Sequence, residues 1–314
     1  MNAPAGALAA MGKLRGFDEY VRVNASTPAF VTFDAWVGEN MATASRRGTD
    51  WAASYRAGRP HVFVYSTGDS SVVLAGALAP SEDSAGRGYP LFVAREVDVT
   101  SAAVRSLEWL PLVLEDVWDG ASRVAASATR DGSVSALEQL LRDTPSSEAV
   151  EFPRALESWE QWTRGVSLTE LAELLFDTGD VASIAGALRA VLEAVAPHRG
   201  ATPPRTRLCL RLPLGRAGGA AVCFWLGVVQ RAVAGERVPS FFWTHDGESG
   251  SLLLSVGVFP KSTLSQLWMP APADDVLDLL DPHTAAFRSP FREALVERTL
   301  ATEGASVLDL LALL

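Results

Sequence analysis

The chain has 314 residues, long for a single domain, and by the usual prior of about 150 residues each it has room for roughly two. With 48% hydrophobic and 20% charged residues it can bury a sizeable core, which excludes wholesale disorder. Its net charge of −10 comes with no run of Lys or Arg, which argues against nucleic-acid binding and against docking on anionic lipid.

Taken in chain order, GKLRGFDEYV (12–21) reads as a short strand or loop. Ser26-Thr27-Pro28 opens a helix with a hydroxyl at the N-cap and Pro in the first turn, and Phe30, Phe33, Val37 and Met41 carry it at helical spacing to about 46. Trp51 and Tyr55 mark a second short helix ending near Gly58. Three strand-like runs follow: HVFVYS (61–66), SVVLAGALA (71–79) and YPLFVAREV (89–97). The turn chemistry between them predicts antiparallel pairing, with a polar loop over 80–88. Leu107, Leu110, Leu114 and Val117 place a helix over about 103–127.

Between 131 and 200 the pattern is helical. Ser135 with Glu138 and Ser167 with Glu170 fit capping boxes, and Asp180 opens a third helix with an apolar stripe from Val181 to Val195. TPSSEAVEFPRALESWEQW reads as linker around Pro145, and HRGATPPRT (198–206) as a second linker. RLCLRL then alternates, with Leu208, Leu210 and Leu212 on one face and Cys209 and Arg211 on the other. An apolar helix over about 217–234 and a hairpin turning at 246–250 follow, and several short helices end the chain. The expectation is an α/β protein of the α+β type. An N-terminal antiparallel sheet with flanking helices spans 1–130, a helical segment spans 131–200 and an α/β region spans 201–314.

Catalytic signatures are missing. His61, His198, His245 and His283 are scattered without metal-ligand spacing, and Cys209 and Cys223 lie too far apart in different contexts to form a zinc site or a disulfide framework. Two buried thiols in a reducing compartment is the expectation. There is no phosphate-cradling loop and no nucleophile elbow, and the Gly215–Gly219 cluster reads as a tight strand-to-helix turn. Asp131-Gly132 and Asp246-Gly247 lack the neighbouring carboxylates a metal-dependent phosphatase requires. MNAPAGALAA does not read as a signal peptide, and the uncharged stretch between Arg216 and Arg231 falls short of the roughly 20 residues a membrane span needs. The reading is a cytoplasmic protein that is no enzyme, holds no cofactor or metal, and inserts in no membrane.

One resemblance gives this reading a direction. GKLRGFDEYV resembles the opening motif of the TagF (ImpM) family, G-K-L-P followed by G-D-F-V. Gly12, Lys13, Leu14 and Val21 agree, Glu19 and Tyr20 replace Asp and Phe, and Arg15 and Asp18 stand where the pattern has Pro and Gly. Asp34-Ala-Trp36 is similar to the family's next signature. Residues 76–91, GALAPSEDSAGRGYPL, resemble its G-x-L-x-P-S-x-D-x-x-G-R-x-x-P-L. The resemblance implies a longin-like sheet domain in an accessory protein of a type VI secretion system. It also implies negative regulation after translation, through binding of a forkhead-associated scaffold protein. An adaptor for another machine, such as a small GTPase module, is the alternative.

On these grounds the partner-binding candidates are Lys13, Asp34, Trp36, Pro80, Asp83, Gly86, Arg87 and Pro90. Pro80 and Pro90 fix the loop ends, Gly86 and Gly88 permit positive φ between them, and Arg87 offers a planar fork for carboxylate or phosphate. Asp83 and Arg87 have two readings, bracing their own loop or meeting a partner, and Trp36 has two, core or contact. If the chain divides as expected, limited proteolysis will cut near Pro145 or within 198–206 before it attacks the sheet; resistance of both stretches would favour one continuous core.

Overall fold

The computed structural model describes residues 6–46, 48–66, 71–99, 107–144, 152–199, 208–233, 238–244, 250–256, 259–280, 302 and 304–314. Among these, the strands are β1 (Ala9–Gly12), β2 (Val21–Val23), β3 (His61–Ser66), β4 (Val72–Ala79), β5 (Leu91–Asp98), β6 (Cys209–Gly215), β7 (Ser240–Trp243), β8 (Gly250–Ser255) and β9 (Val276–Asp278). They form one nine-stranded sheet in the order β2-β1-β5-β4-β3-β7-β8-β6-β9. The antiparallel pairing expected over 61–97 is present, with Phe63 opposite Gly76 and Gly76 opposite Ala94. The parallel pairing of β6 with β9 makes the sheet mixed.

The N-terminal and C-terminal strands meet edge to edge. β3 pairs with β7, placing Val62, Phe63 and Val64 opposite Trp243, Phe242 and Phe241. Helices cover both faces of the sheet, which is why β4 reads VVLAGALA with almost no polar alternation. On one face lie α1 (Pro28–Ser45), α2 (Thr49–Arg56) and α10 (Thr263–Trp268), packed on Phe63, Tyr65, Phe92, Phe242 and Leu253. On the other lie α4 (Glu115–Asp131), α8 (Val181–Val195) and α9 (Gly219–Val233), packed with Val62, Val64, Val93, Leu210, Leu212 and Leu254. The remaining helices are α3 (Leu110–Val113), α5 (Val134–Asp143), α6 (Phe152–Gly165), α7 (Leu168–Phe176) and α11 (Val307–Leu311).

Several local expectations change. Thr27 does sit at the N-cap of α1, but its hydroxyl donates to the Glu96 carboxylate on β5 and leaves the helix end uncapped by a side chain. Ser133, two residues before Ser135, caps α5 by accepting from Ala136 N–H. Asp180 caps α8 as read, and Ser167 caps α7 by accepting from Glu170 N–H, one half of the expected capping box. The string read as linker around Pro145 runs on into helix α6 at 152–165, where Trp159 is buried and stacks on Trp162 at 5.3 Å, so an apolar helical period takes over beyond the Pro and Ser pair. The helix expected over 103–127 is broken at Leu114 into a 3₁₀ turn (Leu107–Trp109), α3 and α4. Pro145, His245 and His283, the hairpin tip and most of 198–206 lie outside the described residues.

Arg211 shows how far the sheet is covered. It sits on the α10 face with 4% of its surface exposed, donating to Asp278 Oδ2 at 2.9 Å and to Gln266 Oε1 at 2.8 Å. A guanidinium tolerates such burial only when its donors are matched in this way.

Phe33 anchors α1. It is fully buried and its ring lies 4.6 Å from Phe63 and 4.8 Å from both Tyr65 and Phe92. Phe33→Ala should therefore cost about 3–5 kcal/mol of stability, as for a large core aromatic. Urea unfolding followed by tryptophan fluorescence reads this directly, and a loss under about 1 kcal/mol would mean that α1 does not depend on this contact.

Candidate functional site

The 80–88 loop is a miniature hairpin standing at the end of β4. Glu82 and Gly88 bridge, Tyr89 N–H donates to Ser81 O at 3.0 Å, and Gly86 N–H donates to Asp83 O at 2.9 Å. Gly86 has φ +77°, the left-handed conformation the turn needs; Gly88, expected to share this, does not have positive φ. Residues 84–88 are exposed, whereas the Asp83 side chain has no accessible surface.

That carboxylate ties the loop to the opening motif. Its Oδ1 accepts from the backbone N–H groups of Ala85 (3.1 Å) and Arg87 (2.9 Å). Its Oδ2 accepts from Lys13 Nζ (2.9 Å) and Arg87 Nε (2.7 Å). Burial would raise the Asp83 carboxyl, but Lys13 and the two groups of Arg87 outweigh it and hold the carboxyl well below the usual carboxylate range. Further bonds stitch the same two segments: Ser81 Oγ donates to Lys13 O at 2.7 Å, Ser84 N–H to Phe17 O at 3.0 Å, and Arg87 Nη2 to Asp18 O at 3.1 Å. Gly12, at φ +135°, lies so close to the strand opposite that a Cβ would fall 2.2 Å from Pro90 O. Close backbone approach accounts for glycine at the head of the opening motif.

The other candidates fall into two groups. Asp34 joins the site through two phenols: Tyr20 and Tyr89 both donate to its Oδ1, Tyr89 at 2.6 Å, and their rings meet edge to face at 5.4 Å. Burial first, then hydrogen bonding to Asp34, pushes both phenols up, so they stay protonated donors. Trp36 points elsewhere. It is half-buried, stacks on Phe33 and Phe242 and touches Phe259, so its ring packs α1 against the C-terminal strands. Pro80 is half-buried and Pro90 buried, shaping the loop from within.

Sequence reading missed Tyr20, Tyr55, Ser81, Glu82 and Tyr89. Tyr55 on α2 donates its hydroxyl to Ser81 O at 2.7 Å and accepts from Ser81 N–H at 2.9 Å, clamping the base of the loop. Glu82 receives Arg15 Nε at 3.5 Å and Arg56 Nε at 3.3 Å. Ser81, Glu82 and Tyr89 lay inside the recognised string and were open to inspection; Tyr55 is 26 residues away and carried no local signal.

Residues 9–144, which contain this entire cluster, match the family described as TagF N-terminal domain, Type VI secretion system-associated. This chain carries a TagF N-terminal domain. The domain contributes strands β1–β5 and helices α1–α5. A solved structure, that of PA0076 from Pseudomonas aeruginosa PAO1, is similar over 85% of this chain and 96% of that one, with a TM-score of 0.50 at 16% sequence identity, a likeness of fold. No curated protein matches the sequence.

Two further facts bear on chemistry. Among the described residues no group of three His, Cys, Asp or Glu is placed to hold a metal ion, and no helix is long and apolar enough to cross a membrane. Cys209 and Cys223 are buried free thiols, both pushed up by burial and thus poor nucleophiles.

Because the Asp83 carboxyl is depressed in the fold, its stabilisation is present above its ordinary value of 3.8 and is lost as pH falls towards the folded value. Asp83→Asn should unfold at lower urea than wild type at neutral pH, and the gap should narrow as pH drops below about 4. A gap independent of pH would show that charge at Asp83 is not what holds the loop.

Proposed function

We propose that this chain is a non-enzymatic, cytoplasmic accessory protein that restrains a type VI secretion system by binding a forkhead-associated scaffold protein. The observation that carries this reading is a TagF N-terminal domain whose signature residues converge on one braced, exposed loop. Lys13, Asp83, Gly86 and Arg87 meet there, with Asp34 beside them through the Tyr20–Tyr89 pair. Arg87 keeps 66% of its side chain exposed while its Nε is fixed by Asp83, a guanidinium held in one orientation and still accessible. A contact surface gains from such bracing because less conformational freedom is lost on binding. In this reading Pro80 and Pro90 shape the loop from within, while Trp36 holds α1, which carries Asp34, against the C-terminal strands.

Inhibition by occupancy follows mass action, so silencing should rise with the amount of the protein relative to the scaffold. Raising its expression should suppress secretion, and deleting it should release secretion. Purified scaffold titrated with wild type should saturate, and Arg87→Ala should weaken binding by about 2–5 kcal/mol if its guanidinium becomes a buried interfacial partner. Thermal melts of both proteins separate this from loop collapse. Suppression at amounts far below the scaffold's, or capture of a small GTPase in place of the scaffold, would overturn the proposal.

A further inference from the structure

The same loop gathers more cations than its carboxylates neutralise. Glu82 takes Arg15 Nε on Oε1 and Arg56 Nε on Oε2, while the neighbouring Asp83 takes Arg87 Nε and Lys13 Nζ. Four cations therefore share two carboxylates in a chain whose net charge is −10. Lys13 is largely covered, with 18% of its side chain exposed. The three arginines are not: 63%, 56% and 66% of the side chains of Arg15, Arg56 and Arg87 face solvent.

Each guanidinium is held by the same atom. Arg56 and Arg87 each donate Nε–H to a carboxylate, and Arg15 Nε lies 3.5 Å from Glu82 Oε1 as an ion pair, so in all three the terminal nitrogens are not the atoms these carboxylates hold. Only Arg87 makes a further bond among the described residues, from Nη2 to Asp18 O, and this spends one of its four terminal N–H groups. The outward edge of a guanidinium is the geometry that grips a carboxylate with two parallel hydrogen bonds. The three arise from different parts of the chain: Arg15 from the loop after β1, Arg56 from the end of α2 and Arg87 from the 80–88 turn. Glu82 gathers the first two, and its side chain is only 22% exposed.

We propose that Arg15, Arg56 and Arg87 form one oriented array that docks an acidic segment of a partner protein, with Glu82 as the positioning residue. This rests on the binding role proposed above and names the chemistry of the partner surface. Nothing in the array reads bases or spans a phosphate backbone, and the acidic remainder of the chain repels a nucleic acid, so a short run of Asp and Glu is the occupant that fits.

The test is fluorescence anisotropy of a labelled oligoglutamate peptide titrated with the full chain. Wild type should bind, more weakly as salt is added, and each of Arg15→Gln, Arg56→Gln and Arg87→Gln should weaken binding about two- to five-fold, as for an exposed ion pair. The triple variant should abolish it, and Arg142→Gln with Arg164→Gln, equally exposed arginines elsewhere, should leave it unchanged. Glu82→Gln is the discriminating variant. It makes the patch more positive, so simple charge attraction predicts tighter binding, whereas a lost orienting clamp predicts weaker binding. Absent wild-type binding, indifference to the triple variant, tightening by Glu82→Gln, or stronger binding of oligothymidylate than oligoglutamate would each overturn the array. Scaffold capture that survives Arg15→Gln and Arg56→Gln overturns the array and leaves the proposed function standing. Oligoglutamate binding without any secretion-system partner does the reverse.

Discussion

A carboxylate with no solvent-accessible surface must find its full complement of donors inside the protein, and Asp83 finds four. Two are backbone N–H groups of its own turn and two are cations, one of them from the loop after β1. This one requirement couples segments that are 70 residues apart in sequence. It fixes the turn, aims Arg87 and closes the opening motif against β5 through Gly12. Removing the charge loosens all of these together, so the site behaves as a unit and its residues are not expected to contribute additively.

A second constraint lies in the sheet. The pairing of β3 with β7 makes the TagF N-terminal domain share its sheet with the C-terminal strands, and Trp36 on α1 stacks across that junction onto Phe242. The C-terminal region therefore supplies support on the face where α1 packs, and α1 in turn carries Asp34 to the tyrosine pair. Arg211, buried beside α10, extends the same coverage towards the far edge. Binding at the loop and integrity of the C-terminal strands are linked through this packing, although among the described residues no C-terminal one forms part of the Asp83 cluster.

Departures from the family pattern take on meaning in this setting. Arg15 replaces Pro and becomes one of three guanidiniums around Glu82 and Asp83, while Asp18 replaces Gly and lends only its carbonyl to Arg87. Tyr20 replaces Phe, and its added hydroxyl reaches Asp34. Arg15 and Tyr20 thus each add a side-chain polar contact, whereas the carbonyl that Asp18 offers would be present with Gly as well.

Local periodicity and turn chemistry were enough to determine β3, β4 and β5, helices α1, α2, α7, α8 and α9, and the existence of a loop over 80–88, because those features depend on neighbouring residues. The string from Gly76 to Leu91 also carried the family. What the sequence could not decide depends on approach in space. Ser133 displaced Ser135 as a cap because the helix begins two residues earlier, and Thr27 abandoned its cap because Glu96 lay across the sheet. Trp36 turned from candidate contact to packing residue because β7 and the residues after β8 supply aromatic neighbours. Tyr55 and Arg56 reached the site only because α2 folds over the base of the loop. Whether β3 would end a small sheet or continue into a large one was set by edge pairing, whose backbone hydrogen bonds are indifferent to side-chain identity and so leave little trace in one sequence.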